Sequence, residues 1–184
     1  MKSNKQKNCC SGEATCEIGC CGQVQAVSDK KKIFIEFMYI DLVTCDRCIG
    51  TEASLDEAIR QVSGILTSAG YKFEVFKTLV STEEQATRLG FVSSPTIRIN
   101  GRDIELDFKE SLCGCCGEIA GEDIDCRVWL WQGKEYTTPP SAMLVDSILR
   151  HVYGGQGVST AVVETKAVPD NLKRFFNSKR KNGR

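Results

Sequence analysis

The stretch Ile33-Phe-Ile-Glu-Phe-Met-Tyr-Ile40, followed by Asp41-Leu-Val-Thr44 and Cys45-Asp-Arg-Cys48, decides how the chain is read. An apolar run of this length, rich in β-branched and aromatic residues, predicts a buried strand. The turn after it lifts two thiols, and the two-residue spacer brings their sulfurs within bonding reach. Leu55, Ala58, Ile59, Val62, Ile65, Leu66 and Ala69 then fall at helical spacing, and Gly70 stops the run. Ser54-Leu-Asp-Glu57 is a capping box that would start this helix at Leu55. Alternatively, a turn from Asp46 to Gly50 runs into the helix and sets Cys45 at its N-terminus, where the dipole lowers a thiol pKa. Of the two, we take the second.

Further along, Lys72-Phe-Glu-Val-Phe-Lys-Thr-Leu-Val80 alternates like a strand, with Phe73, Val75 and Leu79 on one face. Ser81 is placed to cap a short helix, Thr82 to Leu89, that Gly90 ends. Asn100-Gly101 divides two short alternating runs, a hairpin signal. The order is then β-α-β-α-β-β. Residues 107–127 depart from it with Cys113-Gly-Cys115-Cys116-Gly117 and Cys126. Val128 to Trp131 and Lys134 to Thr138 flank Gln132-Gly133 as a second hairpin, whose Trp129, Trp131 and Tyr136 cover one side of the core. Ala142, Leu144, Val145, Ile148, Leu149 and Val152 make a last amphipathic helix. The expected fold is α/β, a central mixed sheet flanked by helices. The expected organisation is a Cys-rich disordered tail at 1–30, one domain at 31–155 with a Cys-rich insertion at 107–127, and a basic flexible tail at 156–184.

Charge and cysteine content narrow the function. The 184 residues carry no net charge, yet residues 33–165 hold 11 Lys/Arg against 20 Asp/Glu. An acidic middle gives no electrostatic reason for a nucleic-acid partner. No window approaches the roughly 18 apolar residues of a membrane span. Met1-Lys-Ser-Asn-Lys-Gln-Lys leads into Cys and Gly rather than an apolar run, which predicts no secretory signal and a cytosolic location. In that setting 11 cysteines point to metal or redox chemistry rather than a disulfide framework.

Cys9, Cys10, Cys16, Cys20 and Cys21 sit among Lys, Ser, Gly and Glu, with little to bury. Closely spaced thiolates of this kind suit Zn(II), Cu(I), Hg(II) or trivalent arsenic, although no standard finger spacing is present. Cys113, Cys115, Cys116 and Cys126 form a second cluster, in which glycines let the backbone aim several sulfurs at one point. Three uses compete for it: a disulfide partner for Cys45 and Cys48, a soft-metal site, or iron–sulfur ligation, the last without a ferredoxin spacing. His151, the one histidine, lies near a helix C-terminus, where a partly charged imidazole is simply favourable. The basic end with Phe175 and Phe176 reads as a solvated tail with a short helix, with membrane-surface or RNA contact as the alternative.

At Ser94-Pro95-Thr96 the chain resembles the thioredoxin-like superfamily, in which a cis-proline before the third strand packs against Cys-x-x-Cys. The resemblance covers residues 33 to about 106 and carries over Cys45, Cys48 and Pro95 only; the Trp-Cys-Gly-Pro-Cys pattern of thioredoxin is absent. Thr44-Cys-Asp-Arg-Cys48, Ser94 to Ile104 and Cys113 to Gly117 are together similar to a family of small prokaryotic proteins with a thioredoxin-like core and no established activity. The resemblance implies a fold and not an established activity. The first reading of the site is thiol–disulfide exchange with a protein or small-molecule substrate, for which no cofactor is required, with the extra cysteines passing on electrons or handling a thiophilic metal or metalloid. Cys45 would attack, Cys48 would resolve, and Pro95 would present a backbone edge to the substrate. Arg47 would favour the Cys45 thiolate and Asp46 oppose it. The other reading makes Cys45 and Cys48 half of a zinc-type or other soft-metal site, completed by Cys113, Cys115, Cys116 or Cys126. A redox enzyme needs Cys45 exposed and acidic, whereas a metal carrier needs three or four sulfurs converging. A third reading is an interaction module with idle thiols.

Overall fold

The computed structural model describes residues 31–106, 108–154 and 167–181. Strand β1 (Lys31–Tyr39) lies at the centre of a mixed sheet ordered β2-β1-β3-β4, with β2 (Tyr71–Leu79), β3 (Thr96–Ile99) and β4 (Arg102–Asp103). β1 runs parallel to β2 and antiparallel to β3, and β3 is antiparallel to β4. The β3–β4 turn is Asn100-Gly101, both at positive φ (51° and 80°), as a two-residue hairpin of this type requires. The Ser94–Pro95 peptide bond before β3 is cis.

Helix α1 (Asp46–Ser68) crosses one face of the sheet and packs against α4 (Ser141–Tyr153). Ile33, Ile35 and Phe37 of β1 meet Leu55, Ala58, Val62 and Leu66 of α1 and Leu144 and Ile148 of α4 in one core cluster. Asp41 Oδ1 accepts the backbone N–H groups of Val43, Thr44 and Cys45 at 2.6–3.0 Å, closing the turn from which α1 starts. The helix therefore begins at Asp46 with Cys45 at the N-cap, and Ser54-Leu-Asp-Glu57 lies inside it.

The Cys-rich segment folds into β5 (Lys109–Leu112), helix α3 (Gly114–Ala120) and the start of β6 (Asp125–Trp131). With β7 (Lys134–Tyr136) these make a second antiparallel sheet, β5-β6-β7. Gln132-Gly133 turns its hairpin at positive φ, and Trp129 is fully buried with Trp131 and Tyr136 packed beside it.

Three local expectations change. Helix α2 (Glu83–Leu89) is capped by Thr82, not Ser81: Thr82 Oγ1 accepts from Gln85 N at 3.2 Å, and Gln85 Oε1 accepts from Ser81 N. β2 does not alternate as expected, since Val75 and Leu79 are exposed at this sheet edge and Phe73 alone of the three packs inward. The basic C-terminal stretch, expected as a flexible tail, forms α5 (Asp170–Lys181). Its Leu172, Phe175 and Phe176 are buried against α3 and α2. The two phenylalanines are thus core residues and not a surface for membrane or RNA. Residues 1–30, with Cys9, Cys10, Cys16, Cys20 and Cys21, lie outside the described residues. No helix among the described residues is long and apolar enough to cross a membrane.

Candidate thiolate metal centre

A second core cluster fills the space between the C-terminal end of β1, α3, α5 and the first turn of α1. It contains Cys45, Cys48, Cys113, Cys116 and Cys126, all 2 % exposed or less, with Cys115 half-buried against it. Two N-caps face each other here, Cys45 on α1 and Cys113 on α3, and neither side chain caps its own helix. Their sulfurs turn inward instead. Cys116 Sγ lies 3.4 Å from Cys45 Sγ and 3.4 Å from Cys126 Sγ, and Cys113 Sγ lies 3.4 Å from Cys115 Sγ. The sulfurs of Cys45, Cys113, Cys115 and Cys116 all lie within 4.8 Å of one another. Four thiolates about 2.3 Å from one tetrahedral ion stand about 3.8 Å apart, so this set has the dimensions of a single-ion site.

The first half of the Cys-x-x-Cys pair belongs to this set and the second does not. Cys48 Sγ contacts Ser94 Oγ at 3.5 Å, just before the cis-proline, and Ser94 Oγ also accepts Ile40 N. Ser94, and not Pro95 itself, makes the contact with the pair. The backbone edge beside Pro95 is occupied, however: Arg127 N donates to Ser94 O at 2.7 Å, so β6 lies where an incoming chain would pair.

Hydrogen bonds among the thiols divide their acidities. Bonds from Cys113, Cys116, Cys126 and Cys48 hold the Cys45 thiol far below the ordinary range, against the opposing effect of burial. Cys113 is brought down to about 6, chiefly by Cys116 and then Cys126. Burial and the neighbouring Cys113 raise Cys115 to about 11. Cys48 is pushed up by its bond to Cys45 and by burial, while Cys116 and Cys126 are pushed up chiefly by Cys113. Negative charge therefore gathers on Cys45 and Cys113, one from each half of the site.

Arg47 joins those halves, a role sequence reasoning missed. Its guanidinium donates to the carbonyls of Leu112 (2.6 Å), Cys126 (3.0 Å) and Ser111 (3.2 Å) and to Ser111 Oγ (3.1 Å). It staples the first turn of α1 to β5 and β6; the expected help to the Cys45 thiolate is not among its hydrogen bonds. A fully buried Arg127 performs the parallel task one layer away. It pairs with both oxygens of Asp103 at 2.8 Å, donates to Thr96 Oγ1, and stacks over Phe108 at 4.3 Å. His151 bonds Ser147 O within its own helix and is remote from the cysteines in sequence and in role.

A family model described as a domain of unknown function, DUF2703, matches residues 33–148. The chain belongs to this family. The DUF2703 region contains all six cysteines of the cluster, whereas α5, which helps to bury them, lies beyond it. Neither the curated proteins nor the solved structures contain a match.

Proposed function

We propose that this chain binds a soft metal ion, of the Zn(II) class, through Cys45, Cys113, Cys115 and Cys116. The observation that carries the reading is the convergence of four sulfurs within 4.8 Å around a fully buried Cys45. An attacking thiol must meet its substrate, and Cys45 meets other cysteines instead. Thiolates select zinc and other soft ions over magnesium or calcium, and closed four-sulfur sites are typical of structural or carrier roles. Zinc, copper(I), mercury(II) and trivalent arsenic all belong to the thiophilic class such a set accepts. The reading places the protein in the cytosol, where thiols stay reduced.

Thiol–disulfide exchange is the second reading, favoured by one arrangement. Cys45 stands at the N-cap position of α1 with a depressed pKa, three residues before Cys48, which itself contacts Ser94 at the cis-proline bond. This is the layout the thioredoxin-like resemblance implies. Metal analysis of anaerobically purified protein separates the two. One zinc-class ion per chain, lost in Cys45→Ser, supports the metal site. Metal-free protein that forms a Cys45–Cys48 disulfide and reduces a model disulfide supports exchange and overturns the metal reading.

A further inference from the structure

The four-sulfur set leaves out Cys126, whose sulfur is as close to Cys116 as that of Cys45 is, 3.4 Å in each case. Cys126 is fully buried. The helix α3 adds a geometric argument. Residues three apart on a helix share a face, and adjacent residues do not. Cys113 and Cys116 are three apart, the spacing of a zinc knuckle, whereas Cys115 and Cys116 are adjacent on the helix, although their sulfurs lie within 4.8 Å of each other. Cys115 is also the one half-exposed thiol of the six.

We infer that Cys126 completes an inner four-thiolate position with Cys45, Cys113 and Cys116, and that Cys115 is the exchange ligand through which a soft divalent ion reaches it. The inference rests on the proposed metal reading and deepens it. The inner and outer sets share three sulfurs, so the ion passes between them by replacing one thiolate with another. No electron is transferred, and four thiolates surround the ion at the start and at the end. Cys115 takes the ion at the surface; Cys126 then gives up its proton as it binds, and the displaced Cys115 thiolate takes one up, so charge and protons balance. Such an arrangement belongs to a carrier rather than to a permanently closed structural site.

Cobalt(II) serves as the probe, because its sulfur-to-cobalt charge-transfer absorption counts thiolate ligands. The full-length chain is used with Cys9, Cys10, Cys16, Cys20 and Cys21 changed to Ser, so that only the core reports. In that background Cys115→Ser, a change at a half-exposed position, keeps the four-thiolate intensity but releases the ion more slowly to a chromophoric chelator. Adding Cys126→Ala drops the intensity to three thiolates and weakens zinc binding more than about 100-fold, beyond the usual effect of losing an outer-sphere partner. A three-thiolate spectrum in Cys115→Ser alone, with four retained in Cys126→Ala, overturns the inner position and leaves the outer set standing. Absence of cobalt uptake in the background protein removes both the inner position and the metal reading.

Discussion

Replacing Arg47 by Met tests whether the two halves of the thiolate set are held together as described. The guanidinium makes four hydrogen bonds of 3.2 Å or less to β5 and β6. A hydrogen bond to a charged group is worth about 1.5–3 kcal/mol. Counting only the two shortest, to Leu112 O and Cys126 O, gives about 3–6 kcal/mol. Arg47 is only half-buried, and water can reach part of the vacated space, so about half of that survives. The expected loss is about 1.5–3 kcal/mol in urea unfolding of the metal-free protein. Arg47→Lys recovers only a part, because one ammonium cannot span three carbonyls in the way a planar fork does. The metal affinity of Arg47→Met falls as well, since Cys45 and Cys113 approach from elements that this side chain ties together. A variant within about 0.5 kcal/mol of wild type, the range of ordinary surface changes, would falsify the stapling role.

Three other outcomes follow from the same geometry. Arg127→Met leaves Asp103 without its partner and costs about 3–5 kcal/mol, and Asp103→Asn in the same chain recovers part of it in a double-mutant cycle. Phe175→Ala costs about 3–4 kcal/mol and speeds the reaction of the buried cysteines with a thiol reagent; an unchanged rate would mean that α5 does not cover them. Zinc affinity falls as pH falls, because each ligand must shed its proton. At neutral pH Cys113, held at about 6, is mostly ionised and releases little on binding. Below pH 6 it adds its proton to the competition, so log affinity falls more steeply with pH there, as a chelator competition series would record.

Much of the scaffold was legible because local signals agreed with the fold. The β1 run, the α1 periodicity and the two positive-φ hairpin turns each have one physical solution. Val75 and Leu79 were misplaced because alternation assumes a neighbour on the inner face, and β2 is an edge strand that α1 covers only in part. The burial of helix α5 was hidden by its charges. Leu172, Phe175 and Phe176 lie at helical spacing, but six of its 12 residues are Lys, Arg or Asp, and only the surface offered by α3 and α2 makes the apolar stripe useful. The candidate site was legible as an inventory of cysteines and not as an arrangement. Cys45 and Cys116 are 71 residues apart, and no spacing rule joins them. The stapling role of Arg47 escaped notice because three of its four partners are backbone carbonyls, which any sequence supplies.

The bond from Arg127 N to Ser94 O has a consequence for competition. A strand tethered within its own chain acts at an effective concentration in the millimolar range. Any outside peptide seeking the edge beside Pro95 must outbid a resident that never diffuses away. Specificity at that edge is therefore written into the chain and not decided at encounter, and the guest arrives already attached to its host.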